Sequence, residues 1–268
     1  MKNPPGILAK IAASTAVRIT KAKELLPEEK AKQAAVVLAE KEKTNTSLPF
    51  ERSLSATGLS FICEVKKASP SKGIIAEDFP FLEIAKEYEE GGASAISVLT
   101  EPEFFLGSGE YLKEIAAAVH IPVLRKDFII DPYQIYEAKL WRAKAVLLIC
   151  ALLEQETLAS FLKTAKELSL DCLVEIHNEA EAEEAIAAGA HIIGINNRDL
   201  TTFNVDRGLS MRLRKLIPSG ILTVAESGVK SSDDIRALKE TGVNAVLIGE
   251  SLMRSTDKKK FLREMIAV

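Results

Sequence analysis

Lysine, glutamate and asparagine side chains end several short apolar segments of this chain, and their types suit proton transfer. The polar residues at these ends are Glu64, Lys66, Lys126, Glu175, Asn196, Glu226 and Ser227. An ammonium group beside a carboxylate can work as a general acid–base pair, because each charge shifts the pKa of the other. Any single charged residue can end a strand merely because the chain enters water there. The whole set, brought to one place, predicts a catalytic site that moves protons without a metal ion.

Glycine turns follow the last two of these segments and point to a second kind of chemistry. The residues concerned are Gly228 in one turn, and Gly249, Glu250 and Ser251 in the other. Backbone N–H groups at such turns and at helix starts bind phosphate, so we expect a phosphate-binding site. The alternative is that each glycine only permits a tight turn. The polar loop with Ser69 and Pro70, after the first segment, is expected to contact substrate, although it would also fit a plain surface turn.

Eight apolar segments rich in β-branched residues alternate with amphipathic segments of helical periodicity. The predicted strands are 60–65, 95–99, 121–124, 145–149, 172–176, 192–195, 221–225 and 245–248. The predicted helices lie near 80–90, 110–118, 132–142, 154–169, 179–188, 206–216, 231–241 and 257–266. Strands that are apolar throughout indicate a parallel sheet covered by helices. Eight such units predict an α/β protein, a closed (β/α)₈ TIM barrel, and no GxGxxG turn supports a doubly wound sheet.

The first 45 residues are expected to form a helical extension packed on the barrel, and residues 46–268 a single catalytic barrel domain. Ile7, Leu8 and Ile11 share one helical face, and Pro27 is a typical start for a second helix. The first 23 residues contain five basic side chains and no acidic one. That composition also resembles an organelle transit peptide, but we favour two helices of the fold.

Composition excludes several classes of protein. The chain has 268 residues, 47% of them hydrophobic and 27% charged, with a net charge of −3. These values are unlike those of a disordered protein, and the charge argues against nucleic acid or an anionic membrane as partner. Cys63, Cys150 and Cys172 are expected to be reduced core thiols, which indicates a cytoplasmic protein. The three histidines show no ligand spacing and no apolar run spans a bilayer, so neither a metal nor a membrane is expected.

A set of motifs resembles the indole-3-glycerol-phosphate synthase family over the whole chain. The matching segments are CEVKKASPSKG (63–73), SVLTE (97–101), FFLGS (104–108), RKDFI (125–129), LVEIH (173–177), GINNRDL (194–200), AESG (225–228) and LIGESLM (247–253). The resemblance implies an enzyme of tryptophan biosynthesis that needs no cofactor. It closes the ring of 1-(2-carboxyphenylamino)-1-deoxyribulose 5-phosphate, with loss of carbon dioxide and water, to give indole-3-glycerol phosphate.

The resemblance also implies roles for individual residues. Lys126 is expected to protonate the ribulose carbonyl, and Glu175 to serve as acid and base in the later proton transfers. Lys66 is expected to hold the substrate carboxylate or to assist dehydration. The side chains expected to orient these groups and the sugar are Glu64, Asn196 and Glu226, and Ser227 is expected to be a further catalytic residue. The aromatic half of the substrate needs an apolar slot, for which the candidates are Phe105, Leu148 and Ile129, and Arg198 is expected beside it.

Two other classes of function fit parts of the pattern. A phosphate-binding isomerase or a Schiff-base aldolase would use Lys66 or Lys126 as its reactive group. A metabolite sensor built on a barrel would bind phosphate but leaves the paired acids and bases unexplained. The expected partner is a small anionic substrate, and the expected state is a monomer or a weak homodimer.

Overall fold

The computed structural model describes residues 2, 4–42 and 48–268, and its centre is a closed barrel of eight parallel strands. The strands are β1 (Ser60–Val65), β2 (Ala95–Leu99), β3 (Val123–Lys126), β4 (Ala145–Ile149), β5 (Asp171–Ile176), β6 (Ile192–Asn196), β7 (Leu222–Glu226) and β8 (Ala245–Ile248). Each strand pairs with the next along the chain, and β8 returns to β1 with Ile248 opposite Cys63. The predicted TIM barrel is therefore confirmed.

Helices cover the outside of the barrel. They are α1 (Ile7–Leu25), α2 (Glu28–Lys41), α3 (Pro49–Leu54), α4 (Phe81–Gly91), α5 (Gly109–Ala118), α6 (Tyr133–Leu140), α7 (Gln155–Glu167), α8 (Glu179–Ala187), α9 (Leu209–Arg214), α10 (Ser232–Thr241), α11 (Glu250–Arg254) and α12 (Lys258–Ile266). Side-chain caps begin several of them: Ser231 forms a capping box with Asp234 at the start of α10. Gly242, in the left-handed region with φ of 75°, ends that helix.

The strand bounds agree with the predicted ones to within a residue except at β3. The sequence predicted a strand at 121–124, whereas β3 runs over Val123–Lys126. Pro122 explains the shift, because proline has no N–H to donate to a strand ladder. The later start carries Lys126 to the end of the strand rather than beyond it.

The first two helices lie where the sequence predicts them. Leu8, Ile11 and Ile19 of α1 are buried. Three alanines of α2, Ala31, Ala35 and Ala39, form the buried face of a helix that packs against α6. Small side chains let two helix axes approach closely, so this contact fixes α2 on the barrel. The expected boundary at residues 45 and 46 lies outside the described residues.

The short helix α3 was not predicted, and it covers the amino-terminal end of the barrel. Its backbone N–H of Glu51 donates to the carboxylate of Asp171, the first residue of β5, at 3.0 Å. Phe50 and Leu54 of this helix are fully buried. Within the described part of the chain, no helix is long and apolar enough to cross a membrane.

Candidate active site

A cavity of about 700 Å³ opens at the carboxyl-terminal ends of the strands. Of the sixteen residues predicted for the site, those that line it are Glu64, Lys66, Ser69, Pro70, Phe105, Lys126, Glu175, Asn196, Arg198, Glu226, Ser227, Gly228, Gly249, Glu250 and Ser251. They converge because parallel strands of a closed barrel all end at one face. Leu148 does not line it, and neither does Ile129, the further candidate for the apolar slot.

Lys126 lies at the centre of the cavity floor between two carboxylates. Its Nζ is 3.0 Å from Oε2 of Glu175, at the end of β5, and 3.1 Å from Oε2 of Glu226, the last residue of β7. Both glutamates are almost fully buried, and the lysine side chain is only 13% exposed. Two carboxyl groups and one ammonium group in this arrangement can donate protons to a bound substrate and accept protons from it.

Burial and mutual attraction shift the pKa values of this group in different directions. Burial alone would lower the pKa of Lys126, but the carboxylates of Glu175 and Glu226 outweigh it and hold that pKa above its usual range. Burial would raise the pKa of Glu175, yet Lys126 and His177 hold it well below its usual range. The pKa of Glu226 is raised by burial and by the charge of Glu175, against the opposing pull of Lys126. The two glutamates therefore differ in how readily they take up a proton.

A second acid–base pair lies on β1 and just after it. Glu64 and Lys66 are two residues apart, so strand alternation points both side chains into the barrel mouth, where they form an ion pair. Gly249 leaves the space they occupy: a Cβ there would lie 2.4 Å from Oε1 of Glu64 and 3.1 Å from Nζ of Lys66. The strand-end glycine thus has a packing function besides forming a turn.

The amide of Asn196 organises the side of the cavity formed by β6 and β7. Its Oδ1 accepts hydrogen bonds from Oγ of Ser227 at 2.8 Å and from the backbone N–H of Arg198 at 3.1 Å. Ser227 adopts a positive φ of 65°, a strained backbone for serine that turns the loop inward. Arg198 donates from its guanidinium to the carbonyl of Phe203 at 3.1 Å, which holds the loop that follows β6.

The apolar slot lies on the side of the cavity opposite Asn196, and a carboxylate holds the turn that carries one of its walls. The side chain of Glu101 accepts the backbone N–H groups of Glu103, Phe104 and Phe105 at 2.7–3.0 Å. This turn directs Phe105 into the cavity, where its ring lies 5.8 Å from that of Phe128.

The predictions of Leu148 and Ile129 as walls of this slot are wrong. Both are fully buried elsewhere, and the cavity is lined instead by their chain neighbours Leu147, Ile149 and Phe128. Alternate residues of a strand face opposite sides, so Leu148 points toward the helix layer. Both faces of a parallel strand are apolar, so the apolar pattern alone does not show which residues of the strand face the cavity.

The turns at Gly228 and at Gly249–Ser251 line the cavity, and phosphate binding by these turns stays a prediction. Four basic side chains that were not predicted line the same cavity: Lys72, Arg207, Lys230 and Arg254. Glu250 turns toward two of them, with its Oε1 3.3 Å from Nε of Arg254 and 3.8 Å from Nζ of Lys72. Its carboxylate is therefore partly neutralised.

Helix α1 contributes a wall of the cavity, which was also not foreseen. Ile7, Leu8 and Ile11 line it, and their shared helical face was the only signal in the sequence. Arg18 fixes this helix through Asp127, the residue after Lys126, with Nη2 2.8 Å from Oδ1. Asp127 also binds the buried Arg125 at 2.9 Å. The extension is thus connected directly to the floor of the site.

No group of three or more His, Cys, Asp or Glu side chains in the described ranges has an arrangement suited to a metal ion. Cys63, Cys150 and Cys172 are free and buried, and burial raises the pKa of each thiol. They are therefore poor nucleophiles and lie in the core, as the sequence indicates.

Solved structures with the same fold include two enzymes of low sequence identity. One, 3-hexulose-6-phosphate synthase, superposes with a TM-score of 0.63 at 16% identity, over 78% of this chain and 99% of the other. The thiamine phosphate pyrophosphorylase of Pyrococcus furiosus gives 0.59 at 19% identity, over 77% and 93%. At these identities the likeness establishes the barrel fold alone.

Sequence relatives establish the family. Residues 8–265 match the sequence model of indole-3-glycerol phosphate synthase. The proteins of that name from Ruminiclostridium cellulolyticum and Endomicrobium trichonymphae are 56% and 57% identical to this chain, over 94% and 97% of it and 95% and 99% of their own lengths. With the acid–base cluster in the barrel mouth, these matches show that the chain belongs to the indole-3-glycerol phosphate synthase family.

Proposed function

We propose that the cluster around Lys126 performs the indole-3-glycerol phosphate synthase reaction. In this reaction 1-(2-carboxyphenylamino)-1-deoxyribulose 5-phosphate closes its five-membered ring and loses carbon dioxide and water. The observation that carries the assignment is the position of Nζ of Lys126 between the carboxylates of Glu175 and Glu226, at 3.0 and 3.1 Å. Ring closure through a carbonyl needs a proton donor and a proton acceptor at one place, and this geometry supplies both.

Lys126 acts first, as the general acid. Its two carboxylate neighbours keep it protonated, so it can donate to the ribulose carbonyl oxygen while the ring carbon that bears the carboxylate attacks the carbonyl carbon. Breaking the bond between that ring carbon and the carboxylate releases carbon dioxide and returns the electron pair to the ring.

The dehydration that follows needs a base and an acid. Glu175, held ionised, removes a proton from the methylene carbon next to the ring nitrogen, and the hydroxyl on the adjacent carbon, the former carbonyl carbon, takes up a proton and leaves as water. Lys66, beside Glu64, either supplies that proton or holds the substrate carboxylate earlier in the reaction. Asn196, Glu226 and Ser227 orient the catalytic groups and the sugar.

The substrate fits the cavity in one direction. Its phosphate lies at the end bordered by Gly228 and Gly249–Ser251, where basic side chains collect, and its aromatic ring lies between Phe105 and the apolar face of α1. Ser69 and Pro70 cover the substrate from the loop after β1, and Arg198 lies beside the anthranilate part. A substrate with two anionic groups thus meets local positive charge in a chain of net charge −3.

A Schiff-base mechanism is disfavoured by the charge state of the lysine. A nucleophilic lysine needs a lowered pKa, whereas the pKa of Lys126 is raised. Treatment with borohydride in the presence of substrate is expected to leave Lys126 unmodified. A covalent adduct on this residue would overturn its role as general acid.

We further propose that the chain divides into an extension of about 45 residues and one barrel domain, works in the cytoplasm without a cofactor or nucleic acid, and is a monomer or a weak homodimer. The three buried free thiols and the low net charge support the location and the absence of a polyanionic partner.

The reaction itself is tested by mixing the purified protein with the carboxyphenylamino substrate and following indole fluorescence and carbon dioxide together. We expect one carbon dioxide for each indole product, in the presence of EDTA as well as in its absence. Binding of the phosphate ester without turnover would instead support a sensor.

A further inference from the structure

The imidazole of His177 lies between two carboxylates immediately beyond β5. Its Nδ1 is 3.1 Å from Oε2 of Glu181, and its Nε2 is 3.3 Å from Oε1 of Glu175. The side chain is 13% exposed. The contact with Glu181 is a hydrogen bond, whereas that with Glu175 lacks hydrogen-bond geometry and is a close charge contact. An imidazole in this position has an acidic partner on each ring nitrogen.

Glu181 is itself held firmly, so the ring cannot turn freely. Its Oε2 accepts the backbone N–H of His177 at 2.8 Å, and its Oε1 accepts from Nδ2 of Asn178 at 3.0 Å. Asn178 in turn caps α8 by accepting the backbone N–H of Glu181 at 2.9 Å. The start of α8 therefore fixes the imidazole against Glu175.

The arrangement distinguishes the two glutamates that share Lys126. Glu175 has a cation on each oxygen, with Lys126 at Oε2 and His177 at Oε1. Glu226 has Lys126 at Oε2, while its Oε1 is buried and has no hydrogen-bond partner among the described residues. His177 therefore supplies the second cation at Glu175, and Glu226 has no counterpart to it among the described residues.

We propose that His177, held by Glu181, is a positioning residue that fixes the carboxylate of Glu175 and keeps it charged, leaving Glu226 as the carboxyl group that first takes up a proton. This inference rests on the proposed role of Glu175 as acid and base. His177 does not touch the substrate in this account; it acts through Glu175.

The charges around the ring favour the imidazolium form at neutral pH. Burial would lower the pKa of His177, but Glu175 and Glu181 together raise it to about 10. Arg198 and Asp199, from the loop after β6, line a neighbouring cavity of about 440 Å³ together with His177 and Glu181. The charge of His177 also lowers the pKa of Asp199, a minor effect beside its hydrogen bonds from Thr201 and Thr202. The ammonium group of Lys126 contacts the other carboxylate oxygen of Glu175, on the side away from His177.

The test compares His177→Gln, Glu181→Gln and Glu175→Gln with the wild type and with His120→Gln. His120 is a matched control because it also lies near a glutamate, Glu89, but at the surface and outside the site. In His177→Gln we expect kcat to fall about tenfold with KM changed less than about twofold. The acid limb of the kcat profile should move to higher pH by about one unit, because the carboxylate of Glu175 loses a cation.

A double variant separates action through Glu175 from a general structural role. In the Glu175→Gln background, His177→Gln should have little further effect on kcat, since the group it positions is no longer a carboxylate. An equal loss in both backgrounds, or an unchanged acid limb in His177→Gln, would overturn the proposal.

Nuclear magnetic resonance gives a readout that does not depend on turnover. The chain has three histidines, so the ring signals lost in His177→Gln identify this residue. We expect both its ring nitrogens to be protonated at pH 8 in the wild type, and the titration to move to lower pH in Glu181→Gln. A neutral ring at pH 8 would overturn the inference even if the enzyme is active; lack of turnover in the wild type would refute the proposed function instead.

Discussion

Replacing Gly194 by alanine should disable the catalytic cluster although no charged residue is replaced. Gly194 lies in β6, and a Cβ built on it would be 2.1 Å from Oε1 of Glu226 and 3.2 Å from Cδ1 of Leu173. Non-bonded carbon and oxygen atoms need about 3 Å or more, so the carboxylate must move by about 1 Å. Glu226 is 1% exposed, and such a shift breaks its 3.1 Å contact with Lys126.

Misplacement of a catalytic group by about 1 Å costs about 10²-fold in rate. We therefore expect kcat of Gly194→Ala, measured by indole fluorescence at saturating substrate, to fall about 10²-fold. Crowding of the barrel interior should also lower the free energy of unfolding by about 1–3 kcal/mol, which leaves the protein folded at 25 °C.

The matched control is Gly220→Ala. Gly220 lies in an exposed turn, and a Cβ there meets no atom within 4 Å. Its kcat should equal that of the wild type. If Gly194→Ala turns over within about twofold of the wild type while its circular dichroism is native, the contact between Glu226 and Lys126 has no part in catalysis.

Three further substitutions probe other contacts. Gly249→Ala places a Cβ 2.4 Å from Oε1 of Glu64 and should lower kcat by at least about tenfold in the same assay; an unchanged kcat would contradict a role for that pair. Arg18→Met removes one of the cations on Asp127 and should lower the free energy of unfolding by about 1–2 kcal/mol in urea titrations, an effect that must vanish in an Asp127→Asn background. Burial raises the pKa of Asp171 to about 6 in the folded chain, above its unfolded value of about 3.9, so the folded state binds more protons and its stability falls as pH rises from about 4 to 6. Asp171→Asn should remove that decline in thermal melts; a decline of the same size in the variant would assign it to other groups.

Most of the fold could be predicted because the strands are buried on both faces. Ala145–Ile149 is continuously apolar and Ala95–Leu99 is apolar except for Ser97, and this signal marks a strand of a parallel sheet without knowledge of its neighbours. Prolines near the starts of helices and glycines after their ends indicated where the helices lie. The start of β3 was misplaced because Ile121 is apolar although Pro122 prevents regular pairing there.

The sequence predicts which residues belong to the site but not how their side chains are arranged. Barrel topology brings strand ends together, so Lys126, Glu175 and Glu226 were expected in one place. Which carboxylates pair with Lys126 depends on barrel closure, and no spacing in the sequence encodes it. The position of α1 at the mouth also comes from contacts between elements that are far apart in the chain. The contact of His177 with Glu175 depends on Glu181 in the first turn of α8, which holds the imidazole.

Single turnover of the carboxyphenylamino substrate by Lys126→Met measures whether Lys126 donates the proton of ring closure. Methionine replaces the apolar stem of the lysine but lacks the ammonium group, so it cannot donate a proton. With enzyme in excess, we expect that the variant still binds substrate while indole formation slows at least about 10²-fold relative to the wild type. Indole formation at the wild-type rate would contradict the assignment of Lys126 as the general acid of ring closure.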